Sequence, residues 1–201
     1  MCIRDSYGPT ENVDRAQMAK MLSVIMNKGV DNSALYQSVN SGLVDVNTNW
    51  AKGHINYCYT TGIIAGRGTG TFDPSATVTA LEAAKMLLVA VGYDPAIEGF
   101  EGADWAINVS VRADEQGIFE GFTKDLSAPL NRDDAALLIY NALDVEMIQS
   151  YTTNNYPIVY SDHRTILSDK YGVIKVEGVV TANEWAIPVS YTRLTLPTTS
   201  R

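Results

Sequence analysis

The sequence predicts a mainly α-helical protein, made of tandem helix–turn–helix repeats with the first copy truncated, followed by a short β-containing segment. Three observations carry that prediction. A block of sequence recurs along the chain, and repeats of a few tens of residues fold as stacked units that bury their faces on one another. Within each block, apolar residues return at helical spacing behind capping signals. Past Tyr151 the texture changes to short β-branched runs divided by polar turns.

The repeat is read directly. Residues 42–86 contain Asp45-Val46-Asn47-Thr48-Asn49-Trp50-Ala51, Gly62-Ile63-Ile64-Ala65-Gly66, Phe72-Asp73-Pro74 and Val78-Thr79-Ala80-Leu81-Glu82. Asp104-Trp105-Ala106, Gly117-Ile118-Phe119-Glu120-Gly121 and Leu130-Asn131-Arg132-Asp133-Asp134 follow in the same order. The Trp-to-Gly interval is unchanged, from Trp50 to Gly62 and from Trp105 to Gly117. An earlier copy keeps its second half, Tyr7-Gly8-Pro9 then Val13-Asp14-Arg15-Ala16-Gln17. The copies are assigned to residues 7–30, 40–92 and 98–145, and the β-containing region to 151–188. Thr152-Thr153-Asn154-Asn155 is expected at the boundary. Residues 7–30 supply one helix, whose partner within that copy is absent from the sequence. Both ends, Met1-Cys2-Ile3-Arg4-Asp5-Ser6 and the run from Val189 onward, resemble translated sequencing-adapter sequence. Residues 1–6 and 189–201 are therefore set outside the fold.

Element by element, the second copy opens with Ala51, Ile55, Cys58 and Tyr59 at helical spacing behind Trp50, and Gly62 stops the run. The matching stretch Ile107-Asn108-Val109-Ser110-Val111-Arg112-Ala113 alternates like a strand. Aligned on its Trp, it puts Ala106, Val109 and Ala113 on one helical face, and a helix is predicted. The other helix of each copy starts at a cap: Asp14-x-x-Gln17, Thr79-x-x-Glu82 and Asn131-x-x-Asp134. The Thr–Glu pair is a capping box and the others are looser variants. Met18, Met21, Leu22 and Ile25, then Met86 and Leu87, then Leu138 and Ile139, are read as core faces. Leu126 is expected where the other copies carry the aromatic before Pro, with that Pro missing and the turn ahead of the cap shortened. Tyr156-Pro157-Ile158-Val159-Tyr160 and the run from Tyr171 to Val180 are predicted strands.

Capping gives Gln17, Glu82 and Asp134 a sufficient structural task. Arg15 and Arg132 have none, because the first turn of a helix disfavours a cation. Two readings stand on spacing alone: an anion site beside open helix amides, or an ordinary surface ion pair.

The chain carries 15 Lys and Arg against 23 Asp and Glu, a net charge of −8. That balance argues against nucleic acid, whose binding needs clustered cations on phosphates. With Cys2 in the adapter-like end, Cys58 stands alone, so neither an intrachain disulfide nor a thiolate metal cluster is expected. No membrane insertion is expected of this fragment, and no cofactor. Asp45-x-Asn47-x-Asn49 starts like a calcium loop but has Trp50 and Asn56 where Gly and Glu belong. Gly66-Arg67-Gly68-Thr69-Gly70 lacks the Lys-Ser/Thr of a phosphate cradle and reads as a turn. His54 and His163 lie in different regions, so no paired histidine site is expected, and His54 is read as a helix-surface residue. Without a partnering His there is no catalytic triad, and no catalytic residue or metal ligand is assigned.

The order Asp…Trp-Ala…Gly-Ile-Ile-x-Gly…Gly-x-Phe-x-Pro…Val-Thr-x-x-Glu resembles the S-layer homology domain over about residues 7–145. The resemblance implies three copies in a pseudo-threefold arrangement, with grooves between copies that hold cell-wall polysaccharide, often pyruvylated. It implies that the Arg of the family's Thr-Arg-Ala-Glu signature meets the ligand's acidic group. Here Asp14-Arg15-Ala16-Gln17 and Asn131-Arg132-Asp133-Asp134 keep that Arg, and Thr79-Ala80-Leu81-Glu82 lacks it. Trp50 and Trp105 match the family's tryptophans, with core packing and groove wall as their two roles. The ligand-binding candidates are Arg15, Arg132, Trp50 and Trp105. The implied function is non-covalent anchoring of a surface protein at the cell wall or S-layer of a bacterium, outside the cell, with self-association as a further partner class. Two alternatives are a helical-repeat scaffold for protein partners and the anchor of a wall-active enzyme.

Overall fold

Asp14, Thr79 and Asn131 each stand in extended backbone and accept from the amide three residues on, Gln17 N at 2.7 Å, Glu82 N at 3.2 Å and Asp134 N at 2.8 Å. Glu82 accepts in return from Thr79 N at 3.1 Å, completing the capping box. These caps open α1 (Arg15–Met26), α3 (Ala80–Ala90) and α5 (Arg132–Ala142). The remaining helices of the two longer copies are α2 (Lys52–Thr60) and α4 (Trp105–Glu115). Gly62 and Gly117 follow their ends with φ of 78° and 71°, a left-handed turn that side chains resist. The computed structural model describes residues 8–175 and Thr198–Thr199. The adapter-like segment 1–6 lies outside them, as does 189–201 apart from that pair.

The residues ahead of the three caps hold one another. Val13 N donates to Leu130 O at 2.8 Å, Leu130 N to Val78 O at 2.7 Å, and Val78 N to Val13 O at 3.0 Å. The three bonds close a ring in which each copy gives once and receives once. All three side chains are buried, so each backbone pair is shielded from water, where an unmade bond is costly. The next amides are used as well. Ala16 N donates to Pro74 O, Asp133 N to Pro9 O and Leu81 N to Leu126 O. Leu126 thus holds the place of Pro9 and Pro74, five residues before its cap, and Lys124 holds the place of the aromatic. This corrects the assignment of Leu126 to the aromatic position, because the backbone register is set by the cap and not by side-chain likeness.

The packing is out of phase with the sequence repeat. Helix α1 packs on α2 of the following copy and on α3, while α3 packs on α4 and α5. The lone helix of the first copy is therefore partnered by its neighbour. Fully buried Met18, Leu22, Ile55, Phe72, Leu88 and Leu138 belong to one core cluster. Tyr59 departs from the expected core face and is 37% exposed.

Helix α2 carries a second covering, a short 3-10 turn at Ser33–Tyr36. Asn56 Nδ2 donates to Tyr36 O and Val39 O, both at 2.9 Å. Gly53 lies beneath the same turn, where a Cβ would stand 2.1 Å from Ser33 O.

His54 is buried, not on the helix surface as expected, since α1 covers that side of α2. Its Nδ1 meets Ser23 Oγ at 2.7 Å, and its Nε2 lies 3.7 Å from Asp31 Oδ2. Burial depresses its pKa below the ordinary 6.5, Asp31 opposes that shift, and Lys20 adds to it. A proton therefore binds the unfolded chain more readily than the folded one. This contribution to stability is complete above about pH 6.5 and declines as pH falls below it, toward the depressed folded value. Thermal melts between pH 5 and 8 are expected to drop toward acid, and His54→Gln to flatten that slope. An unchanged slope in the variant would assign the acid sensitivity elsewhere.

Beyond α5 the chain forms an antiparallel hairpin of β1 (Ile148–Tyr151) and β2 (Pro157–Val159), with residues 152–155 in its turn. The polar run expected at a boundary is thus internal to one element. Ile148 N donates to Val91 O at 2.9 Å, which docks the hairpin on the end of α3. Tyr151 Oη donates to Glu98 Oε1 at 3.0 Å and accepts from Asp94 N at 2.9 Å, while Arg112 Nη2 holds Glu98 Oε2 at 2.8 Å. Helix α6 (Ile166–Tyr171) follows, and Tyr171 Oη donates to Ile25 O of α1 at 3.1 Å. Tyr171 ends this helix instead of opening a strand. Of the second expected strand, Val173–Ile174 form β3, paired with β4 (Thr198–Thr199), and 176–188 lie outside the described residues. No helix of the described residues is long and apolar enough to cross a membrane.

Candidate functional site

Arg15 opens α1, and its side chain runs beneath the Gly-rich turn of the next copy. Nε donates to Phe72 O at 2.8 Å and Nη2 to Ala65 O at 3.1 Å. The guanidinium carbon lies 4.4 Å from the centre of the Phe72 ring, and Nη1 lies 3.7 Å from Glu82 Oε1. Arg15 is 5% exposed. Burial, then the nearby Arg67, lowers its pKa, yet a guanidinium stays protonated in proteins. Neither sequence reading of Arg15 describes this position. The amides of the first helical turn are also occupied, since Arg15 N donates to Ala76 O and Arg132 N to Glu11 O. An anion at these helix starts cannot use them.

Arg15 forms the floor of a groove of about 540 Å³. The second copy contributes Arg67, Glu82, Lys85 and Met86, and the third contributes Trp105. Lys85 Nζ donates to Phe100 O at 2.6 Å and lies 5.7 Å from the centre of the Trp105 ring. Burial lowers the pKa of Lys85, and Glu101 opposes that shift.

A second groove of about 500 Å³ repeats this construction one step around the ring. Arg132 comes from the third copy, Gln17, Lys20 and Met21 from the first, and Trp50 from the second. Lys20 Nζ lies 5.7 Å from the Trp50 ring centre, the same distance as its counterpart. Arg132 is about a third exposed and pairs with Glu11 Oε2 at 2.7 Å. The four ligand-binding candidates are thus brought together crosswise, Arg15 with Trp105 and Arg132 with Trp50. Trp50 is 58% exposed, so core packing is not its role. It precedes α2 by two residues, and its ring meets that of His54 edge-on with centres 6.5 Å apart. Trp105 is partly buried against the core.

The family model of the S-layer homology domain matches residues 44–84. Residues 44–84 are an S-layer homology domain. Over 144 residues, 71% of the chain, it is 30% identical to a cell surface protein of Thermoanaerobacter kivui and 28% identical to the middle cell wall protein of Brevibacillus brevis. Over 94 residues, 47% of the chain, it is 27% identical to an uncharacterized cell wall amidase of Bacillus anthracis. The chain spans 18%, 13% and 17% of these relatives' lengths. Its location is the bacterial cell wall and surface.

The third interface between copies is built differently. Ala80 stands where the two arginines stand, and Leu137 where Lys20 and Lys85 stand. Lys124 Nζ instead pairs with Asp134 Oδ2 at 2.5 Å. The calcium-like start at Asp45 ties the Gly-rich turn: its carboxylate accepts from Phe72 N at 2.9 Å and Asp73 N at 2.6 Å. Burial pushes the Asp45 pKa up, but those amides outweigh it and hold the group below the usual range. Among the described residues no group of three His, Cys, Asp or Glu side chains stands ready for a metal.

Sequence reasoning missed Lys20 and Lys85, while Met21 and Met86, read as core faces, do pack in or against the core and also edge the grooves. The signal was present, since both complete pairs fall six and seven residues after a cap in two copies and not in the third. Among the described residues the lysines have no partner within their own copy's motif, and only the crosswise packing sets each beside the Trp of another copy.

Proposed function

We propose that this module anchors a bacterial surface protein non-covalently to cell-wall polysaccharide, through grooves that hold acidic, pyruvylated sugars. The carrying observation is the twofold recurrence of one groove, with Arg, Lys, Met and Trp drawn from different copies. An exposed Trp face and a thioether suit the apolar side of a sugar ring, and the paired cations suit its carboxylate. The hydrogen-bonded ring at Val13, Val78 and Leu130 supports a pseudo-threefold arrangement of the copies. The acidic net charge favours a local cationic site over broad polyanion binding. Self-association into a surface layer accords with the relatives' location.

Calorimetric titration tests the reading. The chain is expected to bind purified wall polymer that carries acidic sugars and to bind it more weakly after those groups are removed. Trp50→Ala is expected to weaken binding with its melting temperature kept, because that ring is largely outside the core. Equal binding of the two polymers would end the ionic reading. A second reading keeps the anchor and changes its cargo: the relative named a cell wall amidase supports a wall-active enzyme as the anchored part. An intact parent protein that cleaves wall peptide bonds would favour it.

A further inference from the structure

Resting on the proposed function, we infer that Arg67, and not Arg15, is the residue that pairs with the ligand's carboxylate in the first groove, with Glu82 holding its place until the ligand arrives. Arg15 spends its guanidinium on two backbone carbonyls and the Phe72 face, and only its Nη1 turns toward Glu82, at 3.7 Å. Arg67 lines the same groove, is 42% exposed, and pairs with Glu82 Oε1 at 3.1 Å. Its backbone is fixed although its side chain is open. Arg67 N donates to Thr71 O at 2.8 Å, and a Cβ at Gly66 would meet Thr71 O at 2.9 Å. The guanidinium therefore hangs from a tied turn over the groove, within reach of one carboxylate that an incoming one can replace.

The second groove gives an internal comparison. Gln17 stands where Glu82 stands, so that site carries no built-in carboxylate at this position. In the first groove the internal carboxylate on Arg67 is Glu82 of the cap, at 3.1 Å, whereas in the second Gln17 is neutral and Arg132 is held by Glu11 Oε2 at 2.7 Å. Exposed ion pairs are weak, so Glu82 lowers affinity modestly while keeping Arg67 oriented and discriminating against neutral sugars.

The test uses the full chain with the second groove silenced by Trp50→Ala, titrated with acidic wall polymer and with the same polymer stripped of its carboxylates. Arg67→Gln is expected to lower affinity for the acidic polymer by about 10-fold or more and to leave the stripped polymer and the melting temperature unchanged. Arg67→Lys should recover part of the loss. Glu82→Gln keeps an acceptor for the cap and should raise affinity about 2- to 5-fold, a gain that Arg67→Gln cancels. If the acidic polymer still binds in preference to the stripped one while Arg67→Gln binds as its parent does, the assignment to Arg67 is wrong and the proposed function stands. If neither polymer is preferred, or Trp50→Ala alone abolishes binding, the inference is overturned together with the role of the first groove.

Discussion

Arg15→Ala is expected to lower the stability of the helical body by about 3–5 kcal/mol, the scale on which a buried charge and its partners are lost together. Truncation would leave Phe72 O and Ala65 O without their charged donor, and hydrogen bonds to charged groups contribute roughly 1.5–3 kcal/mol each, not additively. Against a total of about 5–15 kcal/mol, that is a large share. The residue ties the first copy to the Gly-rich turn of the second, so the loss spreads beyond its own helix. Arg132→Ala, at an exposed pair with Glu11, should cost about 1 kcal/mol or less. Denaturant melts of the two variants decide it. Should both melt alike, the guanidinium beneath the turn is not holding the copies together. This reverses the expectation for a solvent-facing arginine, under which both variants would stay equally folded.

Gly53→Ala is expected to destabilise by about 2 kcal/mol although alanine is the better helix former by about 1 kcal/mol. The added Cβ would stand 2.1 Å from Ser33 O and 2.7 Å from its carbonyl carbon, both backbone atoms. Overpacking of this kind costs roughly 1–3 kcal/mol, and a rigid neighbour puts it at the upper end. The relief available is to lift the 33–36 turn off α2, which also breaks the bonds from Asn56 Nδ2 to Tyr36 O and Val39 O. Limited proteolysis should then cut near residues 33–39 before the remainder melts. A variant as stable and as resistant as its parent would show that the turn yields without cost.

The helices and their starts were legible because they depend on local chemistry. Asp14, Thr79 and Asn131 each act within four residues of themselves. The α4 helix was legible only by aligning Trp105 on Trp50, since its own residues alternate as a strand does. What escaped was set at long range. Arg15 meets acceptors 50 and 57 residues away, and its burial follows from a turn laid over it by another copy. His54 read as surface because its cover, Ser23 and Asp31, belongs to the preceding segment. Trp50 and Trp105 share one motif but differ in exposure, and nothing in the motif distinguishes them. The crosswise pairing of each arginine with the tryptophan of a different copy has no local signature, because the packing unit runs from one copy into the next.

The docking of the hairpin and α6 fixes the route by which tension would enter an anchored module. A pull applied beyond residue 175 does not load α5 alone, although Lys175 pairs with Asp144 and Leu167 N donates to Leu143 O at the end of that helix. It meets Tyr171 on Ile25 and Ile148 on Val91, and so loads α1 and α3 at once. Those two helices carry the lysines and thioethers of both grooves. Strain delivered there is shared between two attachment points and borne in parallel, so one groove need not let go before the other takes up the load.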